Sequence, residues 1–221
     1  MSLPLPIKAI IFDLDGTLAD TFPLIVASWN AAMREPLGRD FTPDEVVARF
    51  GIPDSAMLRR ELQELPEPVW KQANEAYHAH YEAYHDIVTP FEGVPAMLRA
   101  LHELGLPMGV MTGKGRRTAD ITLHILGWME FFGSVVTGDE VENQKPSPDG
   151  ILLVAQELGV APQHCVYIGD APSDIEAGKA AGMLTIAAAW HSYYGERLRD
   201  SNPDYWAATP ADVQKLITER G

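Results

Sequence analysis

Five short apolar runs, at residues 7–13, 107–112, 133–137, 164–169 and 183–189, read as β-strands. Apolar residues at helical spacing fall around the last four. Leu98, Leu101 and Leu104 end at Gly105; Ile121, Leu123, Ile125 and Leu126 end at Gly127; Ile151, Leu152, Ala155 and Leu158 end at Gly159. Glycine just past the last periodic residue is a common helix stop, because it adopts the left-handed conformation without Cβ strain. Strands alternating with helices predict an α/β fold: a doubly wound, Rossmann-like parallel sheet covered on both faces.

Residues 14–106 separate the first two strands, too long a stretch for one crossover. Within it, residues 20–87 carry only helical patterns. Leu24, Ile25, Ala27, Ser28, Ala31 and Ala32 give one helix. Val46, Val47 and Phe50 give another, after Thr42-Pro43-Asp44-Glu45, an N-cap followed by proline at the first helical position. Met57, Leu58, Leu62 and Leu65 give a third, and Tyr77, Tyr81 and Tyr84 mark a fourth whose tyrosines suit a small core. The pattern predicts an inserted α-helical cap subdomain at 20–87, with core segments 1–19 and 88–221 and hinges near Ala19–Thr21 and Val88–Glu92. The tail from Ser201 reads as a loop and a closing helix, Ala211–Glu219.

Composition narrows the setting. Apolar residues make up 46% and charged residues 22%, ordinary for a globular protein, and the formal charge is −14. So acidic a chain argues against nucleic acid or an anionic membrane as partner, but not against a phosphorylated small molecule held by a local cation. No run approaches the roughly 20 apolar residues of a membrane span. One cysteine, Cys165, excludes an intrachain disulfide, makes the cytoplasm the expected location, and in its apolar setting reads as a buried structural thiol. Monomer and homodimer remain equally open.

Four polar signals follow the ends of four predicted strands: Asp13 with Asp15, Thr112-Gly113-Lys114, Lys145-Pro146, and Gly169-Asp170 through Asp174. Strand carboxyl ends are where open α/β sheets bind ligands. Two carboxylates at the mouth of an apolar strand are costly unless a cation or a reaction uses them.

The chain resembles the haloacid dehalogenase-like hydrolase superfamily, in its phosphoglycolate phosphatase and β-phosphoglucomutase-like branch. The matching text is Asp13-Leu14-Asp15-Gly16-Thr17-Leu18, Thr112, Gln144-Lys145-Pro146-Ser147-Pro148-Asp149, and Ile168-Gly169-Asp170-Ala171-Pro172-Ser173-Asp174 followed by Ala177 to Gly182. The resemblance implies phosphoryl transfer through an aspartyl-phosphate, with Asp13 as nucleophile and Asp15 as acid and then base. It implies Mg²⁺ on Asp13, Asp15 (through its main-chain carbonyl) and Asp170. Thr112 and Gly113 would bind phosphoryl oxygens, Lys145 would neutralise charge, and Asp174 would hold Lys145 or a metal-bound water. Lys114, beside Gly113, belongs to the substrate-binding loop. Arg49, Gly51 and Arg59-Arg60 flank Phe50-Gly51-Ile52-Pro53, a segment resembling the cap loop that enters the active site, where an arginine could bind a distal anion or simply face solvent. Gly113 stands where many phosphatases have Asn, and Ala171-Pro172 where a Ser-rich turn is more usual. The expected activity is hydrolysis of a small phosphate monoester such as phosphoglycolate or a sugar phosphate. A sugar phosphomutase and a non-catalytic phospholigand-binding protein are the alternatives.

Overall fold

The computed structural model describes residues 6–191 and 193–218. Residues 1–5 of the expected core segment, and Glu219 at the end of the expected closing helix, lie outside the described residues. In chain order the elements are β1 (Ala9–Phe12), β2 (Ala19–Asp20), α1 (Phe22–Leu37), α2 (Pro43–Val47), α3 (Asp54–Glu61), α4 (Glu67–Ala83), β3 (Thr89–Pro90) and α5 (Val94–Glu103). Then follow β4 (Met108–Thr112), α6 (Arg116–Ile125), β5 (Ser134–Thr137), α7 (Asp149–Glu157), β6 (Cys165–Gly169), α8 (Pro172–Ala180), β7 (Leu184–Ala188), α9 (Glu196–Asp200), β8 (Tyr205–Ala207) and α10 (Pro210–Thr218).

The period of two along β1 explains the layering. Ile10 and Phe12 enter one apolar cluster with Leu98, Leu101 and Val213, while Ala9 and Ile11 enter another with Ile151, Val154 and Tyr167. A strand apolar on both faces must be sandwiched between helices, so α5 and α10 cover one side and α7 and α8 the other. Six parallel strands form the sheet in the order β5-β4-β1-β6-β7-β8. The chain therefore has the α/β doubly wound core, with helices inserted between β2 and β3.

Five of the six strands coincide with the apolar runs. The sixth, β8, pairs Tyr205 with Ile186 at the sheet edge. Three residues hemmed in by Pro203 and Pro210 are too short to show an alternating pattern, which is why this stretch reads as loop.

Between β2 and β3 every described element is helical. The long helices α1 and α4 pack on each other around Trp29, Tyr77 and Tyr81, all 1% exposed or less. Tyr84, one turn on, is exposed instead. The chain leaves and re-enters the sheet region through β2 and β3, which pair with each other, Ala19 with Pro90 and Asp20 with Thr89. Cys165 is buried, and burial pushes its thiol pKa up to about 11. No described helix is long and apolar enough to cross a membrane.

Candidate active site

Register sets the site. Phe12 pairs with both Val110 and Ile168, so the chain segments leaving β1, β4 and β6 emerge side by side. They deliver Asp13, Thr112 and Asp170 to one end of the sheet. A cavity of about 590 Å³ lies between these strand ends and the inserted helices, with Phe22 and Ile25 from α1, Asp54 and Met57 from α3, and Tyr77 from α4 on its far wall. That volume suits a small molecule.

Asp13, Lys145 and Asp170 form the floor, backed by the buried Asp174. Lys145 Nζ stands 3.0 Å from Asp13 Oδ1 and 2.6 Å from Asp174 Oδ1. It also donates to the Tyr167 hydroxyl at 3.1 Å. That hydroxyl lies 3.0 Å from the Met111 carbonyl and 3.3 Å from Asp174 Oδ1, so a core tyrosine fixes the ammonium from below. Asp174 Oδ2 accepts the Ala171 N–H at 2.9 Å. Thr17 Oγ1 donates to Asp170 Oδ1 at 3.0 Å.

Local backbone makes this possible. Gly16 sits at φ +80°, and a Cβ there would meet Asp170 Oδ2 at 2.6 Å. Gly169 is similarly crowded, since a Cβ would come within 2.4 Å of Asp174. Only glycine lets the two carboxylates approach the β1 turn and the end of β6.

Burial pushes the Asp13 carboxyl above the usual carboxylate range; Lys145 opposes the rise, and Asp174 and Asp15 add to it. Burial likewise raises Asp170, reinforced by Asp174 and Asp13. Burial alone would lower the Lys145 pKa, but Asp13 and Asp174 reverse this and hold it charged. Carboxylate oxygens of Asp13, Asp170 and Asp174 all lie within 4.8 Å of one another. Hard oxygen donors, buried and destabilised by each other's charge, are the donor set that a divalent cation relieves. The residues therefore fit a metal ion. Both Asp174 oxygens already hold Lys145 and the Ala171 N–H, which suits Asp174 to supporting the site.

The remaining expected residues divide. Asp15 is not among those three carboxylates; its Oδ1 accepts from Thr21 Oγ1 at 2.6 Å and its Oδ2 from Lys114 Nζ at 3.1 Å. Lys114 is buried, with its ammonium 4.7 Å from the Tyr81 ring centre. Burial would lower its pKa, but Asp15, Tyr81 and Asp54 raise it. Thr112 is buried and accepts the Lys114 N–H at 3.2 Å. Gly113 lines the cavity, and a Cβ there would meet nothing within 4 Å. Gly51 lines it at φ +111°. Arg49 does not line it: its guanidinium holds Glu61 at 2.8 and 3.0 Å and lies 4.9 Å from the Phe41 ring centre.

Several lining or supporting residues carry no sequence signal. Tyr167 looks like one more apolar strand position. Asp54, at the start of α3, accepts from Thr118 Oγ1 at 2.7 Å and from the Gly115 N–H at 3.3 Å, tying the inserted helices to α6. Tyr193, Tyr194 and Arg197 follow β7 and line the cavity from the sheet side.

The family profile described as haloacid dehalogenase-like hydrolase matches residues 10–188. The chain is 34% identical over 214 residues to a phosphoglycolate phosphatase of Xylella fastidiosa, covering 96% of this chain and 92% of that one. It is 32% identical over 212 residues to pyrophosphatase PpaX of Anoxybacillus flavithermus, covering 96% and 97%. Among solved structures, CbbY from Rhodobacter sphaeroides in complex with phosphate superposes with a TM-score of 0.81 at 24% identity, covering 94% of this chain and 96% of that one. At that identity the likeness speaks for the fold.

Proposed function

This chain belongs to the haloacid dehalogenase-like hydrolase family, and we propose that it is a Mg²⁺-dependent phosphatase acting on a small phosphate monoester. One observation carries the reading: Asp13, Asp170 and Asp174 converge, buried, with Lys145 paired to Asp13 and Asp174, and Asp13, Lys145 and Asp170 line a cavity of small-molecule size.

Asp13 is the nucleophile. Its carboxylate oxygen attacks phosphorus, the bond from phosphorus to the ester oxygen breaks, and that oxygen takes a proton from Asp15 to leave as an alcohol. Water then attacks the phosphorus of the aspartyl-phosphate and gives a proton to Asp15. The acyl-phosphate bond breaks, releasing phosphate and restoring Asp13. Thr112 and the Gly113 N–H bind phosphoryl oxygens. Lys145, charged and fixed by Tyr167 and Asp174, offsets charge on the transferring group, which is where catalysis of phosphoryl transfer mostly lies. Asp13, Asp170 and the Asp15 carbonyl would hold Mg²⁺, whose part is to neutralise phosphoryl charge beside these carboxylates.

Residues 1–19 and 88–221 act as the catalytic core, and 20–87 as a cap that excludes water over the substrate. The pairing of β2 with β3 supports that division, because both connections pass through it. The acidic chain disfavours nucleic acid and membrane partners, and its lone buried thiol supports a cytoplasmic setting.

The test is phosphate release from a panel of phosphate esters with Mg²⁺. Chelation and Asp13→Asn are each expected to lower turnover at least a thousandfold while the far-UV spectrum is kept. Full turnover by Asp13→Asn would overturn the mechanism. Conversion of a hexose 1-phosphate to its 6-phosphate without phosphate release would replace the phosphatase by a mutase.

A further inference from the structure

Three cationic side chains line the cavity, and two are already neutralised: Lys114 by Asp15, and Lys145 by Asp13 and Asp174. The third is Arg197. Among the described residues it has no carboxylate at ion-pair distance, unlike Arg34, Arg39, Arg49, Arg116 and Arg117, which each hold an Asp or Glu. No other arginine lines the cavity.

Its position is defined by the turn that follows β7. Gly195, at φ +47°, immediately precedes α9, and the Arg197 N–H donates to the Tyr194 carbonyl at 3.0 Å. The guanidinium lies 5.7 Å from the Tyr194 ring centre. Tyr194 in turn is near enough to Asp170, Asp174 and Asp13 for their charges to add to the effect of burial, which together push its pKa up to about 12. Tyr194, Arg197, Asp13 and Asp170 all line the one cavity. The Tyr193 hydroxyl donates to Asp44 Oδ1 of α2 at 2.5 Å, bringing the inserted helices and this turn together at the cavity wall. Of the arginines that the sequence offers for a distal anion, Arg49 is committed to Glu61, and Arg59 and Arg60 do not line the cavity.

We infer that Arg197 is a specificity-determining residue, binding a second anionic group on a small phosphate ester whose first phosphoryl group meets Asp13. The inference rests on the phosphatase reading above. A planar guanidinium takes either a carboxylate or a second phosphoryl group through paired N–H donors. Tyr194 supplies an aromatic face that keeps the guanidinium oriented without neutralising it. In a cavity otherwise rich in carboxylates, an unneutralised cation has an anion as its natural ligand.

The experiment compares kcat/KM within two matched pairs: 2-phosphoglycolate against the phosphate ester of glycolamide, and ethylene glycol bisphosphate against its monophosphate. The first pair changes the distal charge at nearly constant shape, the second removes the distal phosphoryl group, and together they separate a carboxylate from a second phosphoryl group as ligand. The wild-type enzyme is expected to favour the anionic member of at least one pair by tenfold or more. Arg197→Met should cut that preference at least tenfold and Arg197→Lys should retain part of it. Arg199→Met, on the same helix beside Trp206 and outside the cavity, should keep the wild-type preference. Because Arg197 is exposed, its variants are expected to melt with the wild type. A wild type without preference in either pair, or an Arg197→Met variant within twofold of the wild-type preference, overturns the inference. Release of phosphate from none of the four esters is a separate outcome, in which the phosphatase reading fails and this inference falls with it.

Discussion

Gly16 meets two demands at once. Its φ of +80° is strained for any other residue type, and the space where a Cβ would point is filled by the Asp170 carboxylate at 2.6 Å. Gly16→Ala is therefore expected to lower stability by about 1–3 kcal/mol from backbone strain. It should also displace a proposed metal ligand, raising the Mg²⁺ concentration for half-maximal phosphate release at least tenfold. Urea unfolding and a Mg²⁺ titration read the two effects separately, and a variant matching the wild type in both would contradict this account of the turn. The same residue shows what a sequence can and cannot convey. Asp13, Asp15 and Gly16 stand out in the chain because polar residues and glycine break an apolar strand at a fixed point. That Asp170, far along the chain, presses on Gly16 follows only from the pairing of β1 with β6. Tyr167 and Arg197 are silent for a different reason. One alternates into the sheet like any core residue, and the other sits on an ordinary charged helix, so only their neighbours distinguish them.

Elements were legible where periodicity ran long enough. The helices ending at Gly105, Gly127 and Gly159 and the capped helix at Pro43 appear where spacing and punctuation place them. Within α2 the Thr42 and Glu45 side chains cap each other's main-chain N–H groups. β8 was not legible, because three residues show no period, and α9, as short as α2, lacks the capping side chain and proline that mark α2. Nor was the contact between α3 and α6, since neither helix signals its partner. Asp54 is 6% exposed and accepts from Thr118 Oγ1 and the Gly115 N–H, so the inserted helices help cap α6 next to the Gly113–Lys114 loop. A hydrogen bond to a buried charge contributes about 1.5–3 kcal/mol. Asp54→Ala and Thr118→Val should each destabilise the fold by about 1–3 kcal/mol. Because they remove the same interaction, the double variant should fall short of their sum by at least about 1 kcal/mol. Denaturant unfolding of the four proteins closes the cycle, and simple additivity would mean that the two side chains do not act as a pair.

At the scale of the whole molecule, charge links folding to the proposed chemistry. The chain carries a formal −14, and its cavity is lined by more carboxylates than cations. Burial raises the pKa values of Asp13 and Asp170, so the folded state holds both carboxylates at a cost when no cation accompanies them. A divalent ion that binds the folded chain but not the unfolded one removes that cost and stabilises the fold by mass action, about 2.7 kcal/mol at a hundred times its Kd. For a chain of this length each kcal/mol moves Tm by about 2–4 °C. Saturating Mg²⁺ should therefore raise Tm by about 5–11 °C in scanning calorimetry, beyond a control with NaCl at equal ionic strength. Asp170→Asn gives the matching inversion. Without metal it should melt no lower than the wild type, because it removes a buried charge that folding disfavours. With Mg²⁺ it should lose most of the upward shift, because it removes a ligand. A wild type whose Tm ignores Mg²⁺, or an Asp170→Asn variant that gains as much from Mg²⁺ as the wild type, would place the ion elsewhere and dissolve the link between this carboxylate cluster and phosphoryl transfer.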